Sequence, residues 1–226
     1  MIIKKEKTIF IHVPKTGGTS VCTHFGFDNY EYKNNKGQQS KKHDSITLLK
    51  AKFPKEYDEY MKFSVVRNPY DRMVSVYFFI TQSLPKIYKQ FFENIDTTTV
   101  NFDFTFKEFL NDPDGVSLKY SQEMEKAMPI LASKGFVNNS PHPRKLNEKF
   151  KYFMLKPQHV WVDESVKILK FENLQEEISE LIPGIKLEHL NKSEHDHYLS
   201  YYDKQSLDLV YNRYEQDFKQ FNYEKL

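Results

Sequence analysis

The chain has 226 residues, with 33 Lys and Arg against 31 Asp and Glu, and therefore a formal net charge of +2. This length suits one substantial core and is short for two independent domains. The near balance of charge argues against a nucleic-acid-binding protein, whose basic face would dominate the count. The single cysteine, Cys22, excludes an internal disulfide, and no apolar stretch is long enough to span a bilayer. Since no signal peptide precedes the first predicted strand, we expect a cytoplasmic protein without membrane association.

The first predicted element is a strand of β-branched and aromatic residues from Thr8 to Val13. Pro14 ends the strand, and two glycines then permit a tight turn into a helix that Thr19 or Ser20 can cap. The first N–H groups of a helix lack intrahelical partners and attract phosphate or sulfate. The segment therefore predicts an anion-binding loop, with an ordinary tight connection as the alternative. The candidate contacts are Lys15, Thr16, Gly17, Gly18, Thr19 and Ser20.

A second strand is predicted over residues 62–67, and it leads directly into a helix. Asn68 suits the N-cap position and Pro69 the first helical position. Arg67 then stands at the carboxyl end of the strand, where α/β sheets bind ligands. Ser75, two helical turns beyond the cap, can share an anion with Arg67. The alternative is that Arg67 and Arg72 pair with nearby carboxylates and that Ser75 is a small packing residue.

Taken together, segments 14–20 and 67–75 closely resemble the two nucleotide-binding signatures of the sulfotransferases that use 3′-phosphoadenosine 5′-phosphosulfate (PAPS). The match is best to the branch with bacterial and Golgi carbohydrate sulfotransferases. The resemblance extends to Phe171-Glu172-Asn173-Leu174 and to Leu190-Asn191-Lys192-Ser193 with the downstream Tyr201-Tyr202-Asp203. Strands that alternate with helices favour a parallel sheet covered on both faces. We therefore expect a P-loop-like three-layer α/β fold, with a central parallel sheet flanked by helices. One domain would cover residues 1–226, with residues 83–150 as a helical insertion on the acceptor side.

The resemblance implies transfer of a sulfuryl group from PAPS to an acceptor hydroxyl, on a carbohydrate or small molecule, with PAP as the nucleotide product. It assigns the 5′-phosphosulfate to residues 15–20, the 3′-phosphate to Arg67 and Ser75, and a nucleotide-closing contact to Lys192. His43 lies between the two motifs, as does the general base of the family, and a solvated loop histidine is the alternative. We expect no metal requirement, because Lys15 and backbone donors supply positive charge.

The segment from residue 152 to residue 161 combines an amide, a histidine and the single tryptophan. Aromatic faces with nearby polar groups suit sugar rings, so Gln158 and Trp161 are candidate acceptor contacts. The alternative makes Trp161 a core anchor and His159 a surface residue.

Local patterns predict several further elements. They are a helix over Ile46–Phe53 capped by Asp44-Ser45, a helix from Pro54 with Tyr57, Tyr60 and Met61 facing inward, a helix from Thr105 to Leu110, a strand over Val166–Phe171 near a sheet edge, and helices over Leu174–Leu181 and Asp203–Phe218.

Two other functions compete with sulfuryl transfer. A P-loop-type ATP-dependent kinase would need a Ser or Thr directly after a loop lysine, and a strand-end aspartate, to hold Mg²⁺. Here Lys15-Thr16 precedes the glycines, whereas in a Walker A loop the lysine follows them. A module that binds a nucleotide without catalysis is the second alternative, and replacement of His43 would distinguish it from an enzyme.

Overall fold

The computed structural model describes residues 1–26, 40, 43–83, 104–113, 115–116, 119, 154–188 and 194–226. The chain divides into two compact units. The first contains residues 1–72, 157–192 and 214–226, and the second contains residues 73–156 and 193–213. Most of the expected insertion at residues 83–150 lies outside the described residues, so the single-domain organisation stays a prediction.

The described residues of the first unit form a sheet of four strands, ordered β1 (Ile2–Ile3), β2 (Thr8–Ile11), β3 (Met61–Val66) and β4 (Lys167–Lys170). Strands β2, β3 and β4 are parallel, whereas β1 is antiparallel to β2. The predicted α/β class is confirmed, with one correction: the sheet is mixed and mostly parallel. Among the described strands β4 stands last in the order, in agreement with its predicted position near a sheet edge.

Helices of the first unit flank this sheet and connect its strands. The helices of the described residues, in both units, are α1 (Gly18–His24), α2 (Ile46–Lys52), α3 (Pro54–Glu59), α4 (Pro69–Phe78), α5 (Phe106–Asn111), α6 (Leu174–Leu181) and α7 (Lys204–Gln220). A π-helical turn, Phe79–Ser83, follows α4, and 3₁₀ turns cover His159–Trp161, Phe171–Asn173 and Tyr198–Tyr201.

Alternation along the strands sends every second side chain to the same face of the sheet. Phe10, Phe63 and Leu169 project on one face and pack with Val21 of α1 and Ile178 of α6 in one buried cluster. Full burial of a side chain of this size stabilises a fold by about 1.5–3 kcal/mol. The core therefore fixes the carboxyl ends of β2 and β3 side by side.

The predicted helix caps are confirmed at three helices. Ser45 accepts a hydrogen bond from the N–H of Leu48, Asn68 accepts one from Tyr70, and Thr105 forms a capping box with Glu108. Two other local predictions are wrong. The N-cap of α1 is Gly17, not Thr19 or Ser20, because the left-handed turn at Gly17 already starts the helix. At the end of α3, Met61 is 38% exposed and does not face inward.

The second unit contains an aromatic cluster around α5. The Tyr77 hydroxyl donates to the carbonyl of Phe104, and the Tyr77 ring meets the rings of Phe106 and Phe109. Helix α7 begins in this unit, where the carboxylate of Asp203 accepts from the N–H of Ser206. The helix has a non-helical backbone angle at Tyr214. Across the described parts of both units, no helix is long and apolar enough to cross a membrane.

Candidate functional site

The loop between β2 and α1 makes a sharp reversal. Lys15 and Gly17 both have positive φ, at 68° and 78°. The hydroxyl of Thr16 donates to the carbonyl of Val13 at 2.9 Å and is fully buried. Thr16 therefore holds the turn closed, while Lys15 stands partly exposed at its outer side.

Two aromatic rings explain why both loop glycines are needed. A Cβ at position 17 would lie 2.8 Å from the ring of Phe171, and a Cβ at position 18 would overlap the imidazole of His12. The sequence pattern led us to expect glycine because a ligand comes close. The structure gives an additional reason, which is that the protein packs two of its own rings against the loop.

His43 lies against this loop. Its Nδ1 is 3.0 Å from the carbonyl oxygen of His12, and the two imidazole rings are 4.6 Å apart. The ring of His12 is itself buried, with its Nδ1 3.5 Å from the Cys22 sulfur. A neutral His43 that donates from Nδ1 has its basic lone pair on Nε2, which is the tautomer that a general base needs.

Arg67 follows the last residue of β3 and reaches the first loop. Its guanidinium forms a two-point ion pair with Asp71, at 2.7 and 2.8 Å, and lies 4.3 Å from the centre of the Phe171 ring. Its Nη1 also donates to the carbonyl of Lys15 at 3.4 Å. The carboxylate pairing that was the alternative for Arg67 is thus observed. Contacts within the described residues use three of the five guanidinium N–H donors, so two remain for an anion.

The resembling segment at Phe171-Glu172-Asn173 positions the start of α4. One carboxylate oxygen of Glu172 accepts from the N–H of Asn68 at 2.7 Å, and the other accepts from the hydroxyl of Tyr223 at 2.9 Å. Burial, together with the negative charge of Glu172, raises the pKa of Tyr223 far above its ordinary value. The segment near the end of the chain is therefore tied to the end of β3 through Glu172.

Gln158 and Trp161, the candidate acceptor contacts, are both fully buried. The Gln158 amide accepts from the N–H of Arg67 at 2.9 Å and donates to the Arg67 carbonyl at 2.8 Å. Trp161 has no exposed surface, as the core-anchor alternative expects, and its ring lies 6.3 Å from that of His43. An acceptor contact from Gln158 or Trp161 stays a prediction.

Two buried charges lie beside these residues: Asp217, which sequence reasoning missed, and Arg72, which it named only as a possible partner of a carboxylate. The carboxylate of Asp217 on α7 accepts from the backbone N–H of Gln158 and from both the backbone and Nδ1 of His159. Arg72 donates from Nε to the carbonyl of Pro14 at 3.0 Å. Nothing in the sequence around Asp217 marked it, because its partners lie far away along the chain.

Three other predictions stay open. Ser75 is buried on the part of α4 that belongs to the second unit. Lys192 lies outside the described residues, so its contact with the nucleotide stays a prediction. Within the described ranges, no group of three or more His, Cys, Asp or Glu could hold a metal ion. Whether the reaction needs a metal stays open to experiment.

The fold and the site together define a class of protein. One parallel strand leads into a glycine loop, and the next leads into an arginine that contacts this loop. This arrangement is typical of α/β proteins that bind anionic ligands at the carboxyl ends of their strands. The chain belongs to the sulfotransferase family, whose family model matches residues 1–224. It is accordingly a PAPS-dependent sulfotransferase, of a family that includes carbohydrate sulfotransferases. Comparisons with curated proteins and with solved structures found no match.

Proposed function

We propose that this sulfotransferase moves the sulfuryl group of PAPS onto a carbohydrate hydroxyl, with His43 as the general base. The main support is the hydrogen bond from Arg67 to the carbonyl of Lys15. This bond joins residues of the two segments that resemble nucleotide-binding signatures, at the carboxyl ends of the neighbouring strands β2 and β3.

The donor site would be divided between these motifs. The loop from Lys15 to Ser20 would face the 5′-phosphosulfate, and the lysine charge would offset the charge that develops on the leaving phosphate oxygen. Arg67 would hold the 3′-phosphate with the two N–H donors that Asp71 and Lys15 do not use. Ser75 and Lys192 would add contacts to the same nucleotide. Bound PAPS supplies the activated sulfuryl group itself.

The proposed proton transfer follows from the tautomer of His43. With Nδ1–H donated to the carbonyl of His12, Nε2 would take the proton of the acceptor hydroxyl as its oxygen bonds to sulfur. The bond between sulfur and the phosphate oxygen breaks on the opposite side, and PAP leaves with that electron pair. Positioning and fixed charge would supply most of the acceleration, as in phosphoryl transfer.

The first experiment is calorimetric titration of the protein with PAP and with ADP, each with and without Mg²⁺. We expect a preference for PAP that does not depend on Mg²⁺. Arg67→Met is expected to weaken PAP binding about 10- to 100-fold, as for loss of a hydrogen bond to a charged group. The matched control is Arg213→Met, at an exposed arginine of α7.

Equal binding of ADP, or nucleotide binding only with Mg²⁺, would overturn the assignment of the 3′-phosphate and favour a kinase or a binding module. An acceptor screen with PAPS, in which the release of PAP is measured, would then test the substrate class. The proposal expects turnover with carbohydrates. Turnover only with lipid, peptide or small-molecule hydroxyls would contradict the carbohydrate assignment while leaving the donor site intact.

A further inference from the structure

We infer that Asp217 and Gln158 are positioning residues that set the geometry of the 3′-phosphate site through Arg67. The inference rests on the proposed function, because it takes Arg67 to be the residue that recognises the 3′-phosphate. It adds a role for two buried side chains that would not themselves touch the nucleotide.

The amide of Gln158 acts on the backbone of Arg67. It accepts from the N–H and donates to the carbonyl of this residue, at 2.9 and 2.8 Å. A neighbouring strand would satisfy the same two groups in a sheet, but β3 ends at Val66. A buried backbone group without a partner is costly. The side chain of Gln158 therefore pairs with the residue after β3 as a neighbouring strand would, and it fixes the backbone from which the Arg67 side chain projects.

Asp217 in turn fixes Gln158. Its carboxylate, with no exposed surface, accepts from the N–H of Gln158 at 2.7 Å and from the N–H and Nδ1 of His159 at 2.8 and 2.6 Å. A buried carboxylate is tolerated only when hydrogen bonds and positive charge compensate its lost hydration. These three donors hold Gln158 at one place relative to α7.

The same turn of α7 also affects the first loop. The guanidinium of Arg72 is buried, which lowers its pKa, while the nearby Tyr214 and Asp217 raise it. Its carbon Cζ lies 5.9 Å from the centre of the Tyr214 ring, and its Nε donates to the carbonyl of Pro14. Pro14 directly precedes Lys15. The negative charge of Asp217 therefore favours the charged form of Arg72, which holds the first loop through Pro14. The hydrogen bonds of Asp217 hold Gln158, which orders the backbone of Arg67.

The test is Gln158→Met, which keeps the length of the side chain and removes both hydrogen bonds to Arg67. We expect PAP binding to weaken about tenfold, the loss of roughly one hydrogen bond's net contribution, while ADP binding stays at the wild-type value. The ratio of the two affinities is the informative readout. A purely structural role for Gln158 would change both affinities together or neither.

Gln175→Met is the matched control. Its amide also joins two backbone groups in the first unit, accepting from Leu187 and donating to Ile185, but at a distance from β3 along the chain. We expect the PAP to ADP ratio to stay at the wild-type value. Should Gln158→Met fail to fold, Gln158→Asn keeps the polar group but is one methylene too short to reach both atoms of Arg67, so it should lower the same ratio.

The outcomes distinguish a failure of the proposed function from a failure of the positioning role of Gln158. If wild-type protein does not prefer PAP to ADP, the proposed function fails. If wild type prefers PAP and the folded Gln158 variant keeps this preference, the positioning role is wrong and the proposed function stands. An equal loss of preference in the Gln175 control would also overturn the positioning role, because the effect would not be specific to Arg67.

Discussion

The two strand-to-helix connections of the first unit are held in different ways. Between β2 and α1, ring contacts at Gly17 and Gly18 leave no room for a side chain. Between β3 and α4, hydrogen bonds and charges hold Arg67 and Asn68 from three directions, through Asp71, Gln158 and Glu172. A connection held by close packing fails when an atom is added. A connection held by several polar contacts weakens in steps as single contacts are lost.

Gly18→Ala should give the largest effect, because the added methyl group overlaps the buried ring of His12. We expect destabilisation by about 1–3 kcal/mol, the usual range for overpacking, and loss of measurable PAP binding because the loop must move. Urea denaturation and calorimetry would measure the two effects.

Gly184→Ala is the control for this substitution. Gly184 has a positive φ, at 83°, and a Cβ there would meet nothing within 4 Å. It should lose some stability through backbone strain and keep PAP binding. Normal PAP binding by the Gly18 variant would contradict the view that packing defines this connection.

His43→Gln tests whether the ring that lies against the first connection also performs chemistry. We expect kcat to fall about 10²–10⁴-fold, the usual contribution of a general base, with PAP affinity close to wild type. Steady-state kinetics with a confirmed acceptor would measure it. His24→Gln, an exposed histidine at the end of α1, should keep wild-type kcat.

The matching kinetic experiment on His159 would sharpen this prediction. Its imidazole is oriented by Asp217, as a catalytic histidine is often oriented by a carboxylate. Loss of turnover in His159→Gln together with normal turnover in His43→Gln would transfer the role of general base to His159.

Tyr223→Phe should have the smallest effect, because it removes one of several contacts around the second connection. Burial and the charge of Glu172 raise the pKa of Tyr223, so above pH 10, the ordinary tyrosine value, the unfolded chain loses this proton while the folded chain keeps it. The contribution of Tyr223 to stability is therefore present below pH 10 and is lost as the pH rises.

Urea unfolding between pH 7 and pH 11 would measure that loss. Wild type should lose more stability above pH 10 than the Tyr223 variant. Parallel curves for wild type and Tyr223→Phe would show that the hydroxyl of Tyr223 does not lie in the environment described.

Local rules allowed much of this structure to be predicted from the sequence. The caps at Ser45, Asn68 and Thr105 depend on residues three or fewer positions away, and the strands and helices around them were placed correctly. Arg67 could be located because strand, cap and proline follow one another directly. The short antiparallel β1 could not be anticipated, since two residues carry no readable period.

The contacts that shape the candidate site depend on residues distant in sequence, and these could not be predicted. Asp217 reads as one polar residue of an amphipathic helix, although the fold buries it beneath Gln158 and His159. The chemical types of Gln158 and Trp161 predicted a sugar contact. The structure buries both side chains, and an acceptor contact from either residue stays a prediction.

The ring of Phe171 has a consequence for how such enzymes diversify. It fills the space that a side chain at position 17 would need, and it also lies beneath the guanidinium of Arg67. A smaller residue at position 171 would open room for a non-glycine neighbour but remove the platform of the arginine. Positions 17, 67 and 171 should therefore covary among relatives, and any redesign of nucleotide preference must change them as a set.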